Sequence, residues 1–164
     1  MLLDVALTNR DPATYALVFD QARDDLRRQE ATLDELRSRT GTLIGASALV
    51  ASFLGVAAAG DGLGLAGILG VIAFVASAGL AIAILMPIHA WIFSNDIPSL
   101  LREYVEADPP ATLVEMHRDL AIHASGHIRN NERWLKILYR LFRGATILLV
   151  LEVLLLLLDL PSSP

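Results

Sequence analysis

The sequence predicts an all-α membrane protein, with three transmembrane helices and a cytoplasmic amphipathic helical layer, assembled as a homo-oligomer. Three observations carry this. Long uncharged runs occur three times, the basic residues all lie to one side of those runs, and the stretches between them repeat apolar residues at helical spacing. A chain of 164 residues that is 54% hydrophobic is also too apolar for an ordinary soluble domain. The net charge of −5 gives no footprint for a nucleic-acid polymer. Without cysteine, disulfides, thiolate nucleophiles and Cys-type zinc sites are all excluded.

Residues 1–39 form a cytoplasmic amphipathic helix. Asp11 is placed as its N-cap and Pro12 at its first turn, where a missing N–H costs nothing. Tyr15, Phe19, Ala22, Leu26, Gln29, Leu33 and Leu36 recur at alternating steps of four and three, a heptad seam flanked by Asp24/Arg28 and Glu35/Arg39 at i,i+4. Such a seam packs on its own chain or on a second copy.

Residues 40–93 form a membrane hairpin. Its first span is Thr40 to Gly60, and only Asp61 separates it from a second that runs from Gly62 to about Ile88 or Phe93, with a kink expected at Pro87. Gly45, Ala48, Ser52, Gly55 and Ala59 line one face of the first span, and Ala66, Gly70, Ala73, Ser77 and Ala81 one face of the second. Small residues let backbones approach closely, which is how helices associate in lipid. The two faces either meet each other or one of them meets a neighbouring subunit.

Residues 94–143 are cytoplasmic helices. A short helix closes at Pro109 and Pro110, and Thr112 with Glu115 matches a capping box opening a long helix. Its apolar stripe is Leu113, Met116, Leu120, Ala124, Ile128, Leu135, Leu138 and Phe142. Residues 144–164 are the third span and a short external tail. Its first turn is borrowed from the segment holding Arg140 and Arg143, whose side chains snorkel. Twelve Arg and Lys136 all precede the first span or lie between the second and third. The positive-inside bias puts the N-terminus in the cytoplasm and the C-terminus outside, and the length of charged chain before the first span fits no cleavable signal. A bacterial inner membrane is the expected location.

Chemistry-bearing constellations are few. His123 and His127 stand four apart with His117 nearby, which suits a partly buried or pH-sensitive pair better than a metal site, since no further ligand stands at a diagnostic offset. The glycines follow no strand and cradle no phosphate, so no cofactor is expected, and no catalytic residue or enzyme activity is. The outlier is Glu152, inside the third span, with Asp159 seven residues on and therefore on the same side. A mid-span acid costs about 3 kcal/mol on an insertion scale, and each neighbouring Leu, Ile or Val returns roughly 0.3 to 0.6. The span therefore still inserts, but Glu152 calls for a partner. It is hydrogen-bonded to Ser47, Ser52, Ser77 or backbone of its own chain, or forms an acidic ring along a cation path in an oligomer, or relays protons.

The segment "RSRTGTLIGASALVASFLG" resembles the start of the membrane core in Pycsar transmembrane effectors and the related two-span SLATT effectors. "HIRNNERWLKILYRLFRGATILLVLEVLLLLL" resembles the helix entering the last span of the former, and the order of segments matches. Where the Pycsar pattern carries an acidic and then a basic residue before the first span, this chain has Arg37 and Arg39. The resemblance implies an antiphage effector that oligomerises and impairs the inner membrane when a cyclic pyrimidine nucleotide appears in the cytoplasm. Arg37, Arg39, Arg118 and Arg129 are then the cytoplasmic ligand candidates. The alternative is a constitutive scaffold that recruits a partner through its cytoplasmic helices.

Overall fold

The computed structural model describes residues 11–59, 64–87 and 97–159, and among them every regular element is helical. The order is α1 (Pro12–Ala59), α2 (Leu65–Leu85), a single turn α3 (Ile97–Leu100) continuing into a wide turn over Leu101–Val105, and α4 (Leu113–Asp159). The GDG turn around Asp61 and the "PSSP" tail lie outside the described residues.

Local chemistry sets the starts of the long helices. Asp11 Oδ1 accepts from Ala13 N–H at 3.0 Å with Pro12 following, as expected of an N-cap before a first-turn proline. At α4, Glu115 N–H donates to Thr112 Oγ1 at 3.3 Å while Glu115 Oε2 accepts from both Thr112 N–H and Oγ1–H at 2.8 Å, a closed capping box. The second apolar run behaves otherwise than expected. Its helix stops at Leu85 instead of continuing to Ile88 or Phe93, and Met86 takes φ −58°, ψ 137°. The ring of Pro87 disfavours helical backbone at the residue before it, which ends α2 there, and the kinked continuation expected to Ile88 or Phe93 falls outside the described residues.

The chain divides into two compact units, Met1–Thr32 with His89–Trp134, and Leu33–Ile88 with Leu135–Pro164. In the first, α1 turns its seam residue Leu26 into the core, and α4 turns in Leu120 and Ala124. Gln29 Nε2 donates to Ile128 O at 3.0 Å, and the Phe19 ring stacks on His117 at 5.7 Å between centroids. Leu113, expected in the α4 stripe, is 63% exposed. It sits at the helix's first residue, ahead of the packed part. In this unit α1 carries the ion pairs Asp20–Arg23, Asp24–Arg27 and Asp25–Arg28, so Arg28 reaches Asp25 and not Asp24.

In the second unit the seam of α1 continues through Leu33, Leu36, Thr40, Leu43 and Ser47, all buried, and Arg39 pairs with Glu35 as the spacing predicts. α2 buries Gly67, Gly70, Ala73, Ser77, Ala81 and Ile84. Of these, Gly70 and Ser77 are seated on α4. A Cβ placed on Gly70 would lie 3.8 Å from Leu155 Cβ, Ser77 Oγ donates to Ala145 O at 3.1 Å, and Leu80 Cδ1 lies 3.4 Å from a Cβ placed on Gly144. Each step toward the C-terminus of α2 is matched by an equal step toward the N-terminus of α4, so the two helices run antiparallel in one register. Both are long and apolar enough to cross a membrane, yet only 28% of the apolar window of α2 and 11% of that of α4 is buried. A helix this apolar in a soluble core would be mostly buried. Here Ile72, Val75, Leu154 and Leu158 face outward.

The capping box supplies a pH test. Its hydrogen bonds, first from the Thr112 backbone and then from its hydroxyl, hold the Glu115 carboxyl below its ordinary pKa. Stability from a depressed carboxylate is full above its unfolded pKa and is lost as pH falls through the folded one. Amide exchange in the first turn of α4 is therefore expected to accelerate in that acid window, and Glu115→Gln should flatten the dependence. Unchanged exchange protection across the window would contradict the cap.

Candidate functional site

Glu152 projects from α4 at a position in step with Leu135, Leu138 and Ala145, all of them buried. It is itself 0% exposed, one of the largest fully buried side chains. Its backbone carbonyl lies 3.9 Å from a Cβ placed on Gly70, so this turn of α4 is seated against the small face of α2. Neither carboxyl oxygen has a hydrogen-bond partner among the described residues.

The serines that sequence reasoning offered as partners are otherwise engaged or unpaired. Ser77 donates to Ala145 O and Ser52 to Ala48 O at 2.9 Å, while Ser47 Oγ is buried without a partner among the described residues. A buried acceptor with no donor loses the solvation it had in water and regains nothing, which costs on the order of 1–3 kcal/mol. Such sites are rare in packed helices, and an ionisable one inside a membrane helix marks function more often than packing.

Asp159 has a different task. Its Oδ2 accepts from Gly64 N–H at 3.3 Å, at the N-cap of α2, where no side chain of that helix caps the exposed N–H groups. The carboxylate thus stands at the positive end of a helix dipole. A Cβ on residue 64 would collide with it, so this close approach needs glycine. The shared edge of Glu152 and Asp159 therefore faces α2.

The four arginines marked as ligand candidates fall two to each unit. Arg39 is tied to Glu35, and Arg37 Nε is buried without a hydrogen-bond partner among the described residues. Arg118 borders a groove of about 630 Å³ together with Asp11, Tyr15, Val18, Ile122 and Ser125, and Arg129 is exposed. The histidines separate too. His117 lies against Phe19, whereas His123 and His127 border a smaller cavity of about 240 Å³ with Glu103 and Tyr104. His123 Nδ1 lies 2.8 Å from Asp119 O, so the proton belongs on Nδ1. Burial first, then the charges of Asp119 and Glu103, push the Tyr104 phenol above its ordinary pKa. Among the described residues no group of three ligating side chains could hold a metal.

Sequence reasoning missed the Asp159–Gly64 contact and the polar members of the seam. Thr40 and Ser47 could have been found by continuing the four–three steps past Leu36, and Asn131 falls seven residues after Ala124; all three are buried. No known family, curated protein or solved structure matches the chain.

The Asp159 contact is open to a double-mutant test. Asp159→Ala should lower stability in detergent by about 0.3–1 kcal/mol. Gly64→Ala displaces the same carboxylate, so the two losses should not add. Full additivity in thermal unfolding would mean the contact is not made.

Proposed function

We propose that this chain is a membrane effector that self-associates and permeabilises the bilayer when a signal on the side of its basic residues rearranges the helices. The observation that carries this reading is Glu152, fully buried on the packed edge of α4 with neither oxygen partnered among the described residues. The resting arrangement keeps a group that water or a donor would stabilise in a place that supplies neither. Any rearrangement that turns this edge of α4 toward a water path or a second copy relieves that cost. The packed state is thus biased toward release, and a ring of such acids in an oligomer would line a cation path.

Two further observations support the reading. On α1, the face bearing Gly45, Ala48 and Ser52 is exposed, a Cβ on Gly41 or Gly45 would touch nothing within 4 Å, and Leu49 and Phe53 stand out at 67% and 73% exposure. A face that allows close backbone approach and is left open by its own chain suits a second copy. The groove beside Arg118 has the size of a small-ligand site, with Tyr15 to stack on a base and a guanidinium to meet phosphate. That composition fits the cyclic nucleotide signal implied by the resemblance to Pycsar effectors. The second reading, a scaffold, rests on Leu17 and Val18, which are exposed on α1 and could meet a protein partner.

Glu152→Leu separates the two. Filling the seam with an apolar group should raise stability in detergent by about 1–3 kcal/mol and abolish the loss of membrane potential that follows induction of the wild-type chain in bacteria. Glu152→Gln should keep the leak and weaken its preference for cations. A wild-type chain that never depolarises cells, or a Leu variant that leaks as well as wild type, would leave the scaffold reading in place.

A further inference from the structure

The buried carboxyl of Glu152 has no cation in its surroundings. Thr40 to Ala59 of α1 and the whole of α2 carry no titratable residue, and the segment between the two helices holds only Asp61, itself an acid. From Gly144 onward α4 adds only Asp159, whose carboxylate is taken up at Gly64 N–H about 10 Å further along the helix. The nearest basic residue of α4 before Glu152 is Arg143, exposed and about 14 Å back along the axis. Gly70, the α2 residue seated beside Glu152, brings no side chain at all. Neither carboxyl oxygen accepts a hydrogen bond from the described residues.

The two forms of the side chain fare differently in this seat. A carboxylate taken out of water without a donor or a counter-charge loses nearly all the solvation that made it stable, whereas the neutral acid loses far less. Asp159 repels the anion and leaves the acid untouched. Water would be the remaining way to hold the anion, and the Glu152 side chain is fully buried. The packed seat accepts the side chain with its proton on. Turned toward a water path, the same carboxyl is hydrated, and at neutral pH the anion is then the stable form.

We propose that Glu152 is a proton-binding site, loaded while α4 is packed on α2 and emptied when its edge meets water. On release the carboxyl O–H bond breaks and the proton passes to the water of the path, leaving the carboxylate on α4. The site itself stands on the packing of α4 against α2, and its coupling to a leak rests on the effector reading. Because the packed state binds one more proton per chain, raising the pH favours release and lowering it favours packing. The packed-to-released ratio of each chain falls by up to about tenfold per pH unit. An assembly whose chains open together responds more steeply still.

The test uses the full chain in phosphatidylcholine vesicles loaded with potassium chloride. Infrared difference spectra of wild type against Glu152→Gln isolate this one carboxyl, and potassium retention is followed on the same samples as the pH is raised. Wild type at neutral pH should show the C=O stretch of a neutral acid, shifted on transfer to heavy water, for as long as potassium is retained. Band and retention should then decline together with rising pH, while the retention of Glu152→Gln does not follow pH. Carboxylate bands in place of the acid band while potassium is retained would overturn the site. An equal pH course in Glu152→Gln would overturn the coupling. Wild-type vesicles that hold potassium at every pH would contradict the effector reading, a separate failure, and the acid band at neutral pH would still decide the proton site.

Discussion

In lipid there is no water to drive apolar surfaces together, so helices stay paired only where their backbones come close and their few polar groups are satisfied. The pairing of α2 with α4 meets the first condition, and meets the second at Ser77 and Asp159 but not at Glu152. Gly70 brings α4 within van der Waals reach, and Ser77 donates across the contact to Ala145 O. Asp159 closes the far end on the N-terminus of α2. These contacts fix one antiparallel register, and that register seats Glu152 beside Gly70 and brings the Arg140 end of α4 level with the other end of α2.

The same register exposes a conflict between packing and solvation. A helix edge that packs well for Leu138 and Ala145 carries a carboxylate two turns further on, and close packing excludes the water that carboxylate needs. Natural helical seams admit polar residues where they specify an arrangement or a change of arrangement. Thr40 shows the benign form, its hydroxyl turned back to Leu36 O at 2.8 Å. Glu152 has no equivalent escape among the described residues, which is why its burial supports a state meant to change.

Features written in short stretches of sequence were legible from them. The caps at Asp11 and Thr112 depend on neighbours three residues away or fewer, and the α1 seam depends on a period. The small face of α2 was legible for the same reason, but its occupant was not, because a glycine stripe says that something approaches and not what. The open face of α1 around Gly45 shows how weak that inference is alone, since an equally small stripe is left uncovered by its own chain. Pro87 carried the signal for the end of α2, because its ring acts on the backbone of the residue just before it. The Asp159–Gly64 contact joins residues 95 apart, beyond any local pattern. Glu152 announced itself by chemistry, while its lack of a partner among the described residues needed three dimensions.

The antiparallel seat of α4 on α2 is testable without removing any native thiol, because the chain has no cysteine. A Cβ at residue 70 lies 3.8 Å from that of Leu155, the separation of a relaxed disulfide. A chain carrying Gly70→Cys and Leu155→Cys, oxidised in native membranes, should cross-link within one chain, and Gly70→Cys paired with Leu148→Cys, two turns away, should not. Absence of the first cross-link with both thiols reactive, or its appearance only between chains, would contradict the register.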